Sequence, residues 1–490
     1  MNVHHFDEPD LEFGGSSHID IRYGLANYGP FDVGEKKRPV QINTGVIGTQ
    51  QSVSELRAWM EKCRGEVHPE LQKAPTRRNP IFPGFSTESP FKSECYVDDT
   101  LCGTIKTSDL RKLETVKNTN NRITAAVEMY MAQIDRLKGK GVQVIVCTLP
   151  LELLALFIES PVEMKDETEI AAKVEGERED DQEEGKWNFH DLLKAKSMRF
   201  QIPVQLIRPS TWDKTYLTKE PDRGGLKRQL QDEPLRAWNY FSALYYKAGG
   251  CPWRLPRGEG KLDTCYVGVS FYRTLDQTRY RTSLAQVFDE LGTGVVVRGG
   301  EVKISDEDNQ PHLDETAARD LLLNALNVYR HEHHHQPAQI IIYKTSWFND
   351  AEKVGFKTAI EAKEIDFYRL FSVSRSFIRL YRDGYFPPLR GTCVELDDSR
   401  FVLYTKGTVP FYEMYPGPYI PRTLAVRKEL CEASTGDVCR EILALTKMNW
   451  NNTQLDGFEP LPVRAAREVG AILKYCDDGD PIATFYRHYM

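Results

Sequence analysis

The sequence lacks any apolar run long enough to cross a bilayer, and Met1–Gly15 is acidic and polar where a secretory leader would be basic and then apolar. A cytoplasmic protein without a membrane partner is expected. None of its ten cysteines forms a CxxC pair, and the closest, Cys95 with Cys102 and Cys431 with Cys439, lack metal-ligand spacing. Reduced, mostly buried thiols are the expectation. No GxGxxG opens a helix and no GxxxxGK[ST] occurs, so no intrinsic dinucleotide or nucleoside triphosphate site is supported. Nothing in the spacing marks a serine or a cysteine as a nucleophile. A positive balance is missing too: the net charge of −7 argues against a generic nucleic-acid binder.

That charge is unevenly placed. Glu159–Glu184 holds twelve acids against Lys165, Lys173 and Arg178, a net of −9, which leaves +2 on the remainder and room for a basic groove. The overlapping segment 160–186 has too little apolar surface to order itself and is expected to be a disordered acidic loop.

What is present is enough for two to three cores: 490 residues, 40% apolar and 28% charged. Residues 1–37, rich in glycine and aromatics, read as an extended arm of short strands packed on the main body. From 38 to 258, strand and helix periods alternate. Val40–Gly48 is a strand, Ser52–Lys62 a short helix, Ile123, Val127, Tyr130, Ile134 and Leu137 mark an amphipathic helix, and Val142–Cys147 is a strand. This alternation predicts an α/β fold with a parallel, Rossmann-like sheet. Residues 64–100 read as irregular. A helix near 233–247 is stopped by Gly249-Gly250, and 256–261 is the expected linker. From Cys265 onward, three successive strands precede helix–strand–helix–strand. That order makes 259–490 a ribonuclease-H-like domain.

The stretch Phe189–Arg208 carries the most chemistry. Phe189, Leu193 and Phe200 share one helical face, and His190 and Lys194 sit four apart on the neighbouring one. Pro203 ends the helix, and Val204–Ile207 follows as a buried strand carrying Gln205. Taken alone this is an ordinary helix–strand unit. Lys247, ending the helix before Gly249-Gly250, can point at the same place. An imidazole, two ammonium groups and an amide suit a terminal phosphate, with a metal to balance the remaining charge.

A ribonuclease-H-type nuclease needs several carboxylates to hold two metal ions. The first-strand position here is Ser270, and the fourth strand ends in Tyr343-Lys344-Thr345 without an acid. Glu301 is near, but a lone glutamate cannot assemble the site, so cleavage is not expected. The run His331–His335 closes a helix, where histidines suit the negative end of the dipole, and it lacks HExxH spacing.

Three motifs, GLANYGPFD near the start, YYKAGGCPWRL closing the first domain and LTKMNWN before the last helices, together resemble short prokaryotic Argonautes. The resemblance covers nearly the whole chain and is weakest over about 60–110 and the acidic loop. It implies a MID domain followed by a PIWI domain, without PAZ. In that family the MID domain holds the phosphorylated 5′ end of a guide strand. Its signature positions fall on His190, Lys194, Gln205 and Lys247, while a lysine common one turn earlier is Ala243 here. The C-terminal carboxylate, at Met490, is implied to enter the pocket and help bind magnesium. Ser270 and Thr345 stand where active members carry acids, and Arg467 where they carry Asp or His, which implies a lost nuclease site. Inactive short members act through an APAZ-containing effector, sirtuin-like, TIR or nuclease. RNA-guided recognition of invading DNA switches it on, commonly depleting NAD and stopping the infected cell. The implied partners are thus a guide RNA, single-stranded target DNA of plasmid or phage, and an APAZ-containing sirtuin-like or TIR effector; the implied cofactor is magnesium. Two readings compete: an active guide-directed nuclease using other acids, and a scaffold that binds no nucleic acid.

Overall fold

Strand Gln41–Gly48 is the hub of the first lobe. It pairs in parallel with Glu94–Tyr96, Cys102–Thr104 and Val144–Thr148, and Val144–Thr148 pairs in parallel with Val204–Ile207. A parallel sheet is covered on both faces, so Val144–Thr148 and the edge strand Val204–Ile207 read VIVCT and VQLI and are buried throughout. Helices Gln50–Lys62, Thr119–Leu137 and Phe189–Ser197 are each started by a side-chain cap, from Thr49, Asn118 and Asn188. The computed structural model describes residues 2–70, 75–156, 187–215, 230–256, 262–288, 293–417 and 420–490. The expected acidic loop 160–186 and most of the expected linker lie outside them. The segment 64–100, expected to be irregular, ends in the strand Glu94–Tyr96 of the first-lobe sheet; before it, Phe82, Phe85 and Phe91 gather on Trp238 and Phe241, with Phe85 and Phe241 stacked at 4.7 Å.

The second lobe is built on a ten-stranded sheet. At its centre lie Thr293–Ile304, Tyr280–Phe288, Thr264–Arg273, Gln339–Lys344 and Phe367–Ser376, in that spatial order. The first three are antiparallel, and Gln339–Lys344 runs parallel to both its neighbours. This is the ribonuclease-H-like arrangement expected from the element order. Val267, Val269 and Ile342 face helices Glu315–His333 and Asp350–Glu361. Tyr266, Tyr272 and Tyr343 face the other way, with Val463 and Ala466 of helix Leu461–Leu473. Gly268 permits that helix to lie close, because a Cβ there would sit 1.8 Å from the Pro462 carbonyl oxygen.

Two further elements depart from expectation. Within the arm, Ile21–Tyr28 is a helix capped by Asp20, not extended chain. Its Gly24 weakens the helical signal, but the Phe13 ring lies 2.2 Å from where a Cβ would be, so packing demands glycine. Thr423–Leu430 is a strand that the sequence reading did not foresee, filling the sheet between Phe367–Ser376 and Arg400–Leu403.

The arm straps both lobes. Asn2–His5 pairs with Thr392–Glu395 at the edge of the large sheet. Glu8 reaches Arg390 at 2.7 Å and Lys447 at 2.9 Å in the second lobe. Glu12 pairs with Arg254 at 2.7 Å, and Asp32 accepts from the Tyr245 hydroxyl at 2.6 Å and the Cys251 amide at 2.8 Å, on the first-lobe side. Trp253 donates to the Lys447 carbonyl at 3.2 Å, and Tyr246 stacks on Trp450 at 4.2 Å with 3° between planes. The three motifs therefore meet at one seam. All ten cysteines are free. Among the described residues no helix is long and apolar enough to cross a membrane.

Candidate anion-binding pocket at the seam

Helix Phe189–Ser197 begins where the Asn188 side chain accepts from the Asp191 amide at 3.3 Å. This start puts His190 and Lys194 one turn apart on one face. The His190 Nδ1 lies 2.8 Å from an Asp191 carboxylate oxygen. Gln201, in the left-handed region at φ 53°, turns the chain out of the helical stretch, and strand Val204–Ile207 returns with Gln205 buried. Lys247 is the last residue of helix Glu233–Lys247.

Lys194, Gln205 and Lys247 converge at the Met490 main chain, whereas the His190 ring is placed against Asp191. Lys194, 0% exposed, donates to the Tyr489 carbonyl at 3.2 Å and to the main-chain oxygen of Met490. Lys247, 1% exposed, donates to the same Met490 oxygen at 2.8 Å, to Gln205 Oε1 at 2.6 Å and to the Val204 carbonyl at 3.3 Å. Two ammonium groups from different helices thus share one oxygen atom in a buried place. Burial of charge is tolerated only where it is matched, and this donor set matches an anion with several acceptor oxygens. Ala243, one turn before Lys247, adds no charge.

Tyr489 and Arg487 escaped the sequence reading. The Arg487 guanidinium lies over the Tyr246 ring at 6.0 Å, beside the Gly249-Gly250 turn. The basic tail FYRHYM was the available signal. His488 is also drawn in: burial, and then the positive Arg487 and Lys247, pull its pKa down to about 4. The unfolded chain therefore binds a proton, below about 6.5, that the folded chain refuses. Stability should fall as pH drops from 6.5 toward 4, by on the order of 3 kcal/mol for this group. Thermal unfolding across that window checks it, and His488→Gln should flatten that part of the slope.

The nuclease-like face is differently equipped. The Thr345 amide donates to the Val269 carbonyl at 3.1 Å, which sets Thr345 beside Ser270 on the side of helix Leu461–Leu473. The neighbouring Ser283 hydroxyl donates to the Ala466 carbonyl at 2.7 Å. Arg467 pairs with Glu459 at 2.9 Å, and Glu301 with Arg279 at 2.5 Å. Lys344 points to the opposite face, buried against Glu352 at 2.7 Å. His331–His335 falls at the end of helix Glu315–His333, with His333 stacked on Tyr329 at 4.3 Å. Among the described residues, no group of three or more His, Cys, Asp and Glu could hold a metal.

No protein-family model matches the sequence, and no curated protein matches it. A solved structure of Clostridium butyricum Argonaute, bound to a guide DNA with a 5′ deoxycytidine and a 19-mer target DNA, matches over 98% of this chain with a TM-score of 0.64. The fold is Argonaute-like. Identity to that Argonaute is 14%, and the chain spans about half of its length, 53%. In Argonaute terms the first lobe is MID-like and the second a PIWI-like, ribonuclease-H-type sheet.

Proposed function

We propose that the chain is the guide-binding, target-sensing subunit of a prokaryotic defence system. The pocket of His190, Lys194, Gln205 and Lys247 holds the 5′ phosphate of a short guide RNA, and the guide pairs with single-stranded DNA of an invading plasmid or phage. The observation that carries this reading is the meeting of two buried lysines from separate helices at one oxygen. Base pairing with the guide supplies sequence recognition, and the phosphate grip supplies register. A magnesium ion bound beside the phosphate would be held by Gln205 Oε1 and the Met490 main-chain oxygen, both of which accept from Lys247. Bound there, it would neutralise phosphate charge.

Target cleavage is not part of the proposal, because Ser270, Thr345 and Arg467 supply no carboxylate. The output passes instead to an associated APAZ-containing effector, sirtuin-like or TIR, that depletes NAD. Short RNAs with 5′ phosphates should be extractable from the purified protein, and a chelator should weaken their hold. Incubation with guide, complementary DNA and magnesium or manganese should leave the target intact. Specific cleavage would overturn the non-nuclease reading, and absence of bound or bindable guide would favour a scaffold.

A further inference from the structure

We infer that the segment 377–386 is a docking platform for an unpaired stretch of the target strand, a second contact that rests on the proposed guide-and-target function. Phe377, Tyr381 and Tyr385 recur every four residues and are 89, 95 and 103% exposed, the three most exposed large hydrophobic side chains among the described residues. Arg379 and Arg382 are interleaved with them, exposed, and in no ion pair among the described residues. Asp383 is the only acid from 377 to 386.

The exposure is built into the fold. Thr423 Oγ1 donates to the Ile378 carbonyl at 2.7 Å, and the Leu380 amide donates to the Tyr404 hydroxyl at 2.6 Å. The sheet thus grips the segment by its backbone and leaves rings and guanidinium groups outward. The segment leaves the C-terminal end of strand Phe367–Ser376, the sheet end at which Thr345 also emerges from the parallel strand beside it. Ligands of open α/β sheets collect at that end. Arginines suit phosphates, and exposed rings suit bases, but only bases free of a duplex can stack on them. Charge complementarity and free bases together select a single strand over a protein surface.

The test uses the full chain loaded with guide, and labelled target DNA with or without an unpaired extension. Phe377→Ala/Tyr381→Ala/Tyr385→Ala should weaken binding of the extended target by on the order of tenfold or more. Binding of the target without extension and retention of guide should stay unchanged. Arg379→Ala/Arg382→Ala should reduce the salt dependence of log affinity for the extended target by about 1.4. Equal affinity of the triple variant and the parent for both targets overturns the inference. So does loss of a co-purifying polypeptide with extended-target binding intact, which would make the segment a protein-docking face. A guide-free titration with oligo-dT separates the two proposals. A chain with Lys194→Ala/Lys247→Ala should lose guide yet bind oligo-dT through this segment. If it keeps its guide, the pocket reading fails, and the effect of the triple variant on oligo-dT still decides the platform.

Discussion

Replacing Lys194 and Lys247 together by alanine should abolish retention of 5′-phosphorylated guide while leaving the chain folded. Each ammonium is buried and already aimed at the shared Met490 oxygen, so little reorganisation precedes binding. A hydrogen bond to a charged partner contributes about 1.5–3 kcal/mol, so losing one from each lysine should weaken the grip by roughly a hundredfold or more. Discrimination between 5′-phosphate and 5′-hydroxyl guides in a filter-binding titration is the sharpest readout, because the variant should lose it. Alanine also empties space in a packed seam. Lys194→Met/Lys247→Met keeps most of the volume and should give the same loss of discrimination with less loss of stability. A double variant that still holds phosphorylated RNA as tightly as the parent refutes the pocket.

Glu8→Ala should be among the most destabilising single substitutions in the chain. Burial alone would raise the Glu8 pKa, but Arg390 and Lys447 pull it below its usual 4.5. Both cations have wholly buried side chains, and Arg390 also donates to the Leu443 carbonyl at 3.0 Å and the Thr446 hydroxyl at 2.9 Å. Removing one partner of a buried ionic cluster leaves uncompensated charge and costs about 3–5 kcal/mol. Thermal melting should drop by roughly 5–10 °C. Glu8→Gln, which keeps shape and acceptor, should lose less. A lowered carboxyl pKa contributes stability above pH 4.5 that is lost as pH falls through the folded value, so the gap between parent and Glu8→Ala should narrow in acid. A melting point unchanged within a degree would mean the arm is not a structural strap.

The regular elements were legible because each carried its own period. Ile123, Val127, Tyr130, Ile134 and Leu137 face one core, and helix Thr119–Leu137 forms around them. Gln339–Lys344 and Thr264–Arg273 announced themselves as apolar runs with β-branched residues. Within the pocket, Lys194, Gln205, Lys247 and Met490 could be grouped from the sequence through the family resemblance, and they do meet in space. Their mutual geometry was not legible, since it depends on the chain's last residues returning to the first lobe. The helix Ile21–Tyr28 was obscured by Gly24, whose reason is the distant Phe13 ring. The Glu8, Arg390 and Lys447 cluster joins residues hundreds of positions apart, and no local pattern foretells such a pairing.

The stacking of Tyr246 on Trp450 bears on how the molecule can work. With the rings 4.2 Å apart and 3° from parallel, neither lobe can swivel against the other without first unstacking two large buried side chains. The Asp32 contacts to Tyr245 and Cys251 bind the arm to that same patch. On the proposed function, a guide–target duplex would meet two halves already joined at this seam.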